Sequence, residues 1–108
     1  MTDLAHESPL RSDAQHLRAA ELDVLLGQSA LGDHTAFGTL YDRTVNGFFG
    51  LALVVLGDHG RAEETTRAAY AEIWATSRSF NSAEHRSLSW MTTIVYEIAC
   101  SARSTRAA

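Results

Sequence analysis

Histidine and cysteine often hold metals or carry nucleophilic chemistry, but in this chain they lack the spacing that such sites need. No two of the five histidines stand three or four residues apart, the separation that places two ligands on one face of a helix. They are His6, His16, His34, His59 and His85. We therefore interpret them as surface or capping residues, and we expect no resident metal and no cofactor.

The carboxylates and glycines do not form a catalytic arrangement either. Glu63 and Glu64 are adjacent, so on a helix they diverge by roughly 100° and do not act as an acid/base pair by themselves. The segment 57–60 is too short for a phosphate-binding loop, and the chain has no lysine to complete one. Cys100 has no cysteine partner and no basic residue directly beside it, so we interpret it as a buried, unreactive thiol. These patterns predict no catalytic residues and a chain that is not an enzyme.

The composition predicts one domain with an acidic balance. The chain has 108 residues, of which 45% are hydrophobic, enough for a core without disulfides or metals. Its net charge of −4 is unusual for a dedicated nucleic-acid binder, because such proteins release counterions from phosphates with a basic surface. If the chain contacts DNA, another partner must supply most of the affinity.

Nothing in the sequence indicates a membrane protein. No apolar run approaches the roughly 18 residues of a membrane span, and the first residues lack the basic start and apolar stretch of a signal peptide. We therefore expect a cytoplasmic protein without a membrane partner.

Apolar residues recur at helical spacing along the chain, and no segment alternates as a strand would. We predict an all-α fold, a compact bundle of four helices. Residues 1–15 should form a flexible N-terminal arm, and 16–108 one helical domain. The predicted helices span about 16–30, 35–56, 61–77 and 88–105.

Local signals mark where these helices should begin and end. Gly32 should adopt the left-handed conformation that ends the first helix, and Asp33 should cap the second. The segment 57–60 should separate the second helix from the third, and Ser87 should cap the fourth. Three glycines inside the second helix, among them Gly38, predict a close helix approach or a slight bend, since each costs roughly 1 kcal/mol relative to alanine.

Two stretches resemble the second conserved region of extracytoplasmic-function (ECF) sigma factors of bacteria. In that family a D-x-x-A-F-x-x-L-Y motif opens a long helix, and residues 33–42 here read DHTAFGTLYD. An A-E-E/D-x-x-Q-x-x-F/Y-x-x-x-W helix follows, and residues 62–74 read AEETTRAAYAEIW. The second stretch leads from FNSA at 80–83 to LSWM at 88–91, where the family places a tryptophan at the start of its promoter-reading helix. The resemblance covers about 22–106 and implies the same helical fold.

The resemblance implies that the third helix binds core RNA polymerase, at the clamp helices of the β′ subunit. The implied contacts are Glu63, Glu64, Arg67, Tyr70 and Glu72. Exposed carboxylates suit a basic partner, because complementary charge favours encounter and register. Two alternatives remain open: the adjacent glutamates simply favour the positive start of their helix, and Tyr70 and Trp74 belong to the core.

The resemblance also implies that the loop 79–87 and the fourth helix contact promoter DNA, on the non-template strand of the minus-ten element. The implied contacts are Asn81, His85, Arg86, Trp90, Tyr96 and Arg103. A melted strand needs stacking surfaces for unpaired bases and positive charge along its backbone. For Trp90, packing in the core is the alternative role.

Departures from the family pattern keep three functions open. Arg67 stands where the family has glutamine, and Tyr96-Glu97-Ile98 stands where it has a basic run, so Glu97 would repel phosphate. The family's second helical domain does not follow within these 108 residues. The first hypothesis is a sigma-like transcription-initiation module that binds core polymerase and helps to melt the promoter. The alternatives are a degenerate module that binds polymerase or an anti-sigma factor without recognising a promoter, and a helical domain of unrelated role.

Overall fold

Each of the four predicted stretches is helical in the computed structural model, which describes residues 18–107. The helices are α1 at 18–30, α2 at His34–Leu56, α3 at His59–Thr76 with a 3-10 turn at Ser77–Ser79, and α4 at Ser87–Ala107. No strand occurs in this range, so the predicted all-α, four-helix fold is confirmed. The predicted arm at 1–15 lies outside the described residues. None of the described helices combines the length and the apolar character that a membrane crossing requires.

The junction between α1 and α2 has the predicted capping chemistry. Gly32 adopts the left-handed conformation, with φ at +93°. The Asp33 carboxylate then accepts a hydrogen bond from the amide of Ala36 at 3.0 Å. This bond satisfies one of the amides that the first turn of α2 leaves without an intrahelical partner.

The break between α2 and α3 is shorter than the predicted segment 57–60. Gly57 ends α2 with φ at +69°, and the Asp58 carboxylate accepts a hydrogen bond from the amide of Arg61 at 2.8 Å. Because Asp58 caps the helix, α3 begins at His59, two residues before the predicted start at 61.

The prediction that Ser87 caps α4 is wrong. Ser87 is the first residue of α4 and is 1% exposed, and its hydroxyl has no hydrogen-bond partner among the described residues. Its backbone amide instead donates to the carboxylate of Asp23 on α1 at 2.8 Å. The first amides of a helix need an acceptor from outside the helix, and here another helix supplies it.

The four helices share one apolar core, crossed by a hydrogen bond between α2 and α3. The clustered core residues are Leu26, Leu40, Phe48, Ala69, Tyr70, Ile73, Met91 and Val95, with at least one from each helix. The hydroxyl of Tyr70 is hydrogen-bonded to that of Thr44, which itself donates to the backbone carbonyl of Leu40 at 2.8 Å. Tyr70 is therefore the donor of the pair, and both buried hydroxyls are satisfied.

The close helix approach expected at the glycines of α2 is absent, because a β-carbon added at Gly38, Gly47 or Gly50 would meet no atom of another described helix within 4 Å. Gly38 is exposed in the helix interior. We expect Gly38→Ala to raise the free energy of unfolding by about 0.5–1 kcal/mol, as alanine loses less backbone entropy on folding. The matched control is Gly57→Ala, which should lower it because φ at Gly57 is positive. Urea denaturation of both variants measures the effect, and a less stable Gly38→Ala chain contradicts the expectation.

Burial of Tyr70 should make the fold sensitive to alkali. Burial raises the pKa of Tyr70 from its ordinary value of 10.0 to about 12. The Thr44 hydroxyl lowers it in part, because it turns to donate to the phenolate once Tyr70 ionises, and the nearby Tyr41 raises it. The folded chain thus holds the phenol proton more tightly than the unfolded chain. This stabilisation is complete below pH 10 and is lost as the pH rises toward 12.

We expect about 2–3 kcal/mol of the free energy of unfolding to disappear across that window. Urea denaturation in steps from about pH 9 to about pH 12 measures the loss. Tyr70→Phe keeps the ring and removes the phenol, so its stability should fall less steeply over the same range. An identical pH dependence in the two chains would contradict the assignment to Tyr70.

Candidate functional site

The charged candidates on α3 lie on its solvent-facing side. Glu63, Glu64, Arg67 and Glu72 are all exposed, and we call these four residues the acidic surface. Neither of the adjacent glutamates forms an ion pair with another residue in the range 18–105, where side chains are described. Glu63 and Arg67, one helical turn apart, also line a groove of about 440 Å³ between α2 and α3. The carboxylates are therefore accessible to a partner.

The position at which α3 begins decides whether the helix dipole can account for the adjacent Glu63 and Glu64. With the predicted start at 61, Glu63 and Glu64 would lie in the first turn, where the helix dipole favours negative charge. In the structure α3 begins at His59, and its first turn contains no acidic residue. Because the influence of the dipole falls off within the first turn, it accounts poorly for these two residues. Their role as polymerase contacts remains a prediction.

Tyr70, the fifth candidate on α3, lies behind this surface. It is 5% exposed and packs against Tyr41 with ring centroids 4.7 Å apart. Tyr70 is thus a packing residue that supports the acidic surface and does not itself reach solvent. Tyr41, 41% exposed, lines the groove and was not singled out from the sequence, because its position also fits the apolar stripe of α2.

Trp74 lies one helical turn beyond Tyr70 on α3 and is half-buried. It stacks on the ring of His34 with centroids 4.7 Å apart, and the edge of Phe37 meets it at 5.0 Å. The alternative role considered for Trp74 was packing in the core, and its half-burial fits that role only in part. This packing joins the end of α3 to the start of α2.

Residues 80–86, between the 3-10 turn and α4, form a short segment that we call the 80–86 loop; it is exposed except at the half-buried Phe80. The side-chain oxygen of Asn81 accepts a hydrogen bond from the amide of Ala83 at 3.0 Å, and its backbone carbonyl accepts one from the amide of His85 at 3.0 Å. Asn81 therefore shapes the loop as an Asx turn does. His85 and Arg86 are exposed and present their side chains to solvent.

Helix α4 places the other three DNA candidates at different distances from this loop. Trp90 is half-buried and packs on Phe80, with ring centroids 5.5 Å apart, so it adjoins the loop. Tyr96 is 50% exposed, with the exposed Glu97 beside it. Arg103 is exposed two turns beyond Tyr96 on the same face, about 24 Å from the start of α4 at roughly 1.5 Å per residue. The structure brings Asn81, His85, Arg86 and Trp90 together and leaves Tyr96 and Arg103 apart from them.

Cys100 is half-buried, not buried as predicted. Interaction with the neighbouring Cys100 thiol is the main cause that raises the pKa of Tyr96 above its ordinary value. Within the described part of the chain, no group of three His, Cys, Asp or Glu side chains is placed to hold a metal ion.

One residue beside the 80–86 loop was missed by sequence reasoning. Asp23 of α1 accepts the Ser87 amide with one carboxylate oxygen, and the other oxygen lies 3.7 Å from Nε of Arg86. No local pattern could have found it, because 64 residues separate Asp23 from Ser87.

Comparison with known proteins identifies relatives of this chain, although no family model matches it. The ECF RNA polymerase sigma factor SigK of Mycobacterium tuberculosis (strain H37Rv) is 38% identical over 78 residues, which are 72% of this chain and 42% of that protein. SigK of Mycolicibacterium vanbaalenii is 39% identical over 80 residues, 74% of this chain and 41% of that protein. The chain therefore spans about two fifths of the length of the curated relatives it matches.

Proposed function

Because the chain carries an ECF sigma factor region, we propose that it is a transcription-initiation module that binds core RNA polymerase and helps to recognise and melt the minus-ten promoter element. The observation that carries the proposal is the acidic surface of α3, exposed and beyond the first turn of its helix. The module performs no covalent chemistry, and its place of action is the cytoplasm. Strand separation comes from capture of unpaired bases.

Polymerase binding rests on the charge of α3. Three carboxylates, at Glu63, Glu64 and Glu72, face solvent and suit a basic partner such as the β′ clamp helices. The groove beside Glu63, lined in part by Tyr41 and Phe49, offers an apolar anchor next to this carboxylate. Aromatic anchors inside a polar rim are the usual source of affinity in protein interfaces.

DNA contact rests on the 80–86 loop. His85 and Arg86 are exposed there, and Trp90 and Phe80 form the aromatic base beneath them. A net charge of −4 opposes binding of DNA by the chain alone. Once the acidic surface holds the chain on polymerase, the loop and the strand are at high effective concentration, so weak contacts suffice.

One observation favours a second candidate function, a polymerase-binding or anti-sigma-binding module without promoter recognition. Glu97 is exposed on α4 beside Tyr96, where it repels a phosphate backbone. In this alternative the acidic surface keeps its partner and the 80–86 loop has no ligand.

The two functions are separated by two binding measurements on the full chain. The first is fluorescence anisotropy of the labelled chain with mycobacterial core RNA polymerase. The second is enrichment of single-stranded DNA from a sequence-randomised pool by polymerase with and without the chain. We expect binding in the first and a chain-dependent sequence preference in the second. Binding without any preference supports the second function. No binding to polymerase contradicts the first function and the polymerase-binding form of the second.

A further inference from the structure

We propose that Asp23 regulates the 80–86 loop from α1: its carboxylate holds the first turn of α4 and offsets the charge of Arg86. Asp23 belongs to neither surface, yet it contacts Arg86 at the end of the loop and Ser87 at the start of α4. The inference rests on the proposed function, in which single-stranded DNA is the ligand of the 80–86 loop.

The first part of the inference is that a residue of α1 caps the start of α4. Oδ1 of Asp23 accepts the backbone amide of Ser87 at 2.8 Å, and the Asp23 side chain is 16% exposed. The Ser87 hydroxyl, which sits where a local cap is expected, is buried and has no partner within the described part of the chain. A charged acceptor at a helix start makes a stronger bond than a neutral one and also meets the positive end of the helix dipole. Asp23 thereby fixes where the loop ends.

The second part is a restraint on charge. Oδ2 of Asp23 lies 3.7 Å from Nε of Arg86, and the Arg86 side chain is 57% exposed. An ion pair this open to water is weak, so a phosphate can compete for the guanidinium. In the absence of DNA, Asp23 orients Arg86 and offsets its charge, so the loop attracts polyanions weakly. Arg86 is therefore a phosphate ligand that Asp23 moderates.

Two substitutions of Asp23 separate the cap from the charge. Asp23→Asn keeps an oxygen that accepts the Ser87 amide but removes the negative charge beside Arg86. We expect it to bind a 12-nucleotide single-stranded DNA of mixed sequence about two- to fivefold more tightly than the unchanged chain. The slope of log affinity against log salt should steepen by about 0.7, the value for one additional phosphate contact on a single strand. Asp23→Ala removes both functions and should release the Ser87 amide.

Matched controls exclude a general effect of net charge. Asp42→Asn removes one exposed carboxylate from α2 and should not reproduce the gain. Arg86→Gln should abolish the gain of Asp23→Asn when the two changes are combined, because the moderated group is then absent. Equal gains from Asp23→Asn and Asp42→Asn, or a gain that survives Arg86→Gln, overturn the charge restraint.

The cap is tested without DNA, by amide hydrogen exchange of the full chain at Ser87. We expect faster exchange in Asp23→Ala and near-unchanged exchange in Asp23→Asn, a contrast that a general loss of stability would not produce at one amide. Unchanged protection of Ser87 in Asp23→Ala overturns the cap. If the unchanged chain and all variants fail to bind DNA with or without polymerase, the proposed promoter contact and the charge restraint are both contradicted, while the Ser87 exchange still decides the cap.

Discussion

Replacing both Glu63 and Glu64 by arginine should weaken binding of the chain to core RNA polymerase by about a hundredfold. Both carboxylates are exposed and unpaired within the described residues, so they can meet a basic partner directly. Reversal places like charges in contact, which costs more than the loss of a favourable pair. Anisotropy titration of the labelled chain with core polymerase measures the change.

The control for this experiment changes the same number of charges elsewhere. Glu84 and Glu97 are exposed on the loop and on α4, and reversing both alters the net charge by the same amount. This control should keep its affinity for polymerase within about threefold, because its charges lie outside the acidic surface. Thermal unfolding should change little for either chain, as all four positions are exposed. Equal weakening in the two chains would show that net charge, not the acidic surface, governs binding.

Ile73→Ala should lower the free energy of unfolding by about 2–5 kcal/mol. Ile73 is fully buried at the centre of the core cluster, and it anchors the helix that carries the acidic surface. Truncation removes buried methyl and methylene groups and leaves a cavity that close-packed neighbours fill only in part. A loss of this size is a large fraction of the stability of a domain of this length.

Urea denaturation of the full chain measures this loss, and two further variants define its origin. Ile73→Val removes one methylene group and should cost about 0.5–1.5 kcal/mol. Val54→Ala removes two carbons, a number between the losses in Ile73→Val and Ile73→Ala, from a side chain that is 84% exposed. Its stability should therefore stay within about 0.5 kcal/mol of the unchanged chain. A cost at Ile73 no larger than that at Val54 would contradict the described core.

Helical periodicity and capping residues predicted most of the fold, because both act over a few residues. The spacing of apolar residues placed all four helices, and the Gly32-Asp33 pair correctly marked the first junction. The start of α3 was misplaced because Gly60 was interpreted as part of the break. The cap at Asp58 compensates for the low helix propensity of that glycine.

The candidate site was predictable only where it depends on a single helix. The exposure of Glu63 and Glu64 follows from the face of α3 that they occupy, and so does the burial of Tyr70. The contact from Asp23 to Ser87 joins α1 to α4, and a linear pattern contains no trace of it. The contacts of these residues with polymerase and with DNA remain predictions.

The two tryptophans of the chain pack against different aromatic partners. Trp74 stacks on His34 at the end of the helix that bears the acidic surface, whereas Trp90 rests on Phe80 beneath the loop. With Trp74 replaced by phenylalanine, the remaining indole emission reports on the loop, and a single-stranded oligonucleotide that stacks there quenches it. With Trp90 replaced by phenylalanine instead, the emission of Trp74 reports on the helix that bears the acidic surface and on binding of polymerase there. The protein thus contains its own fluorescent probe for each surface, without any added dye.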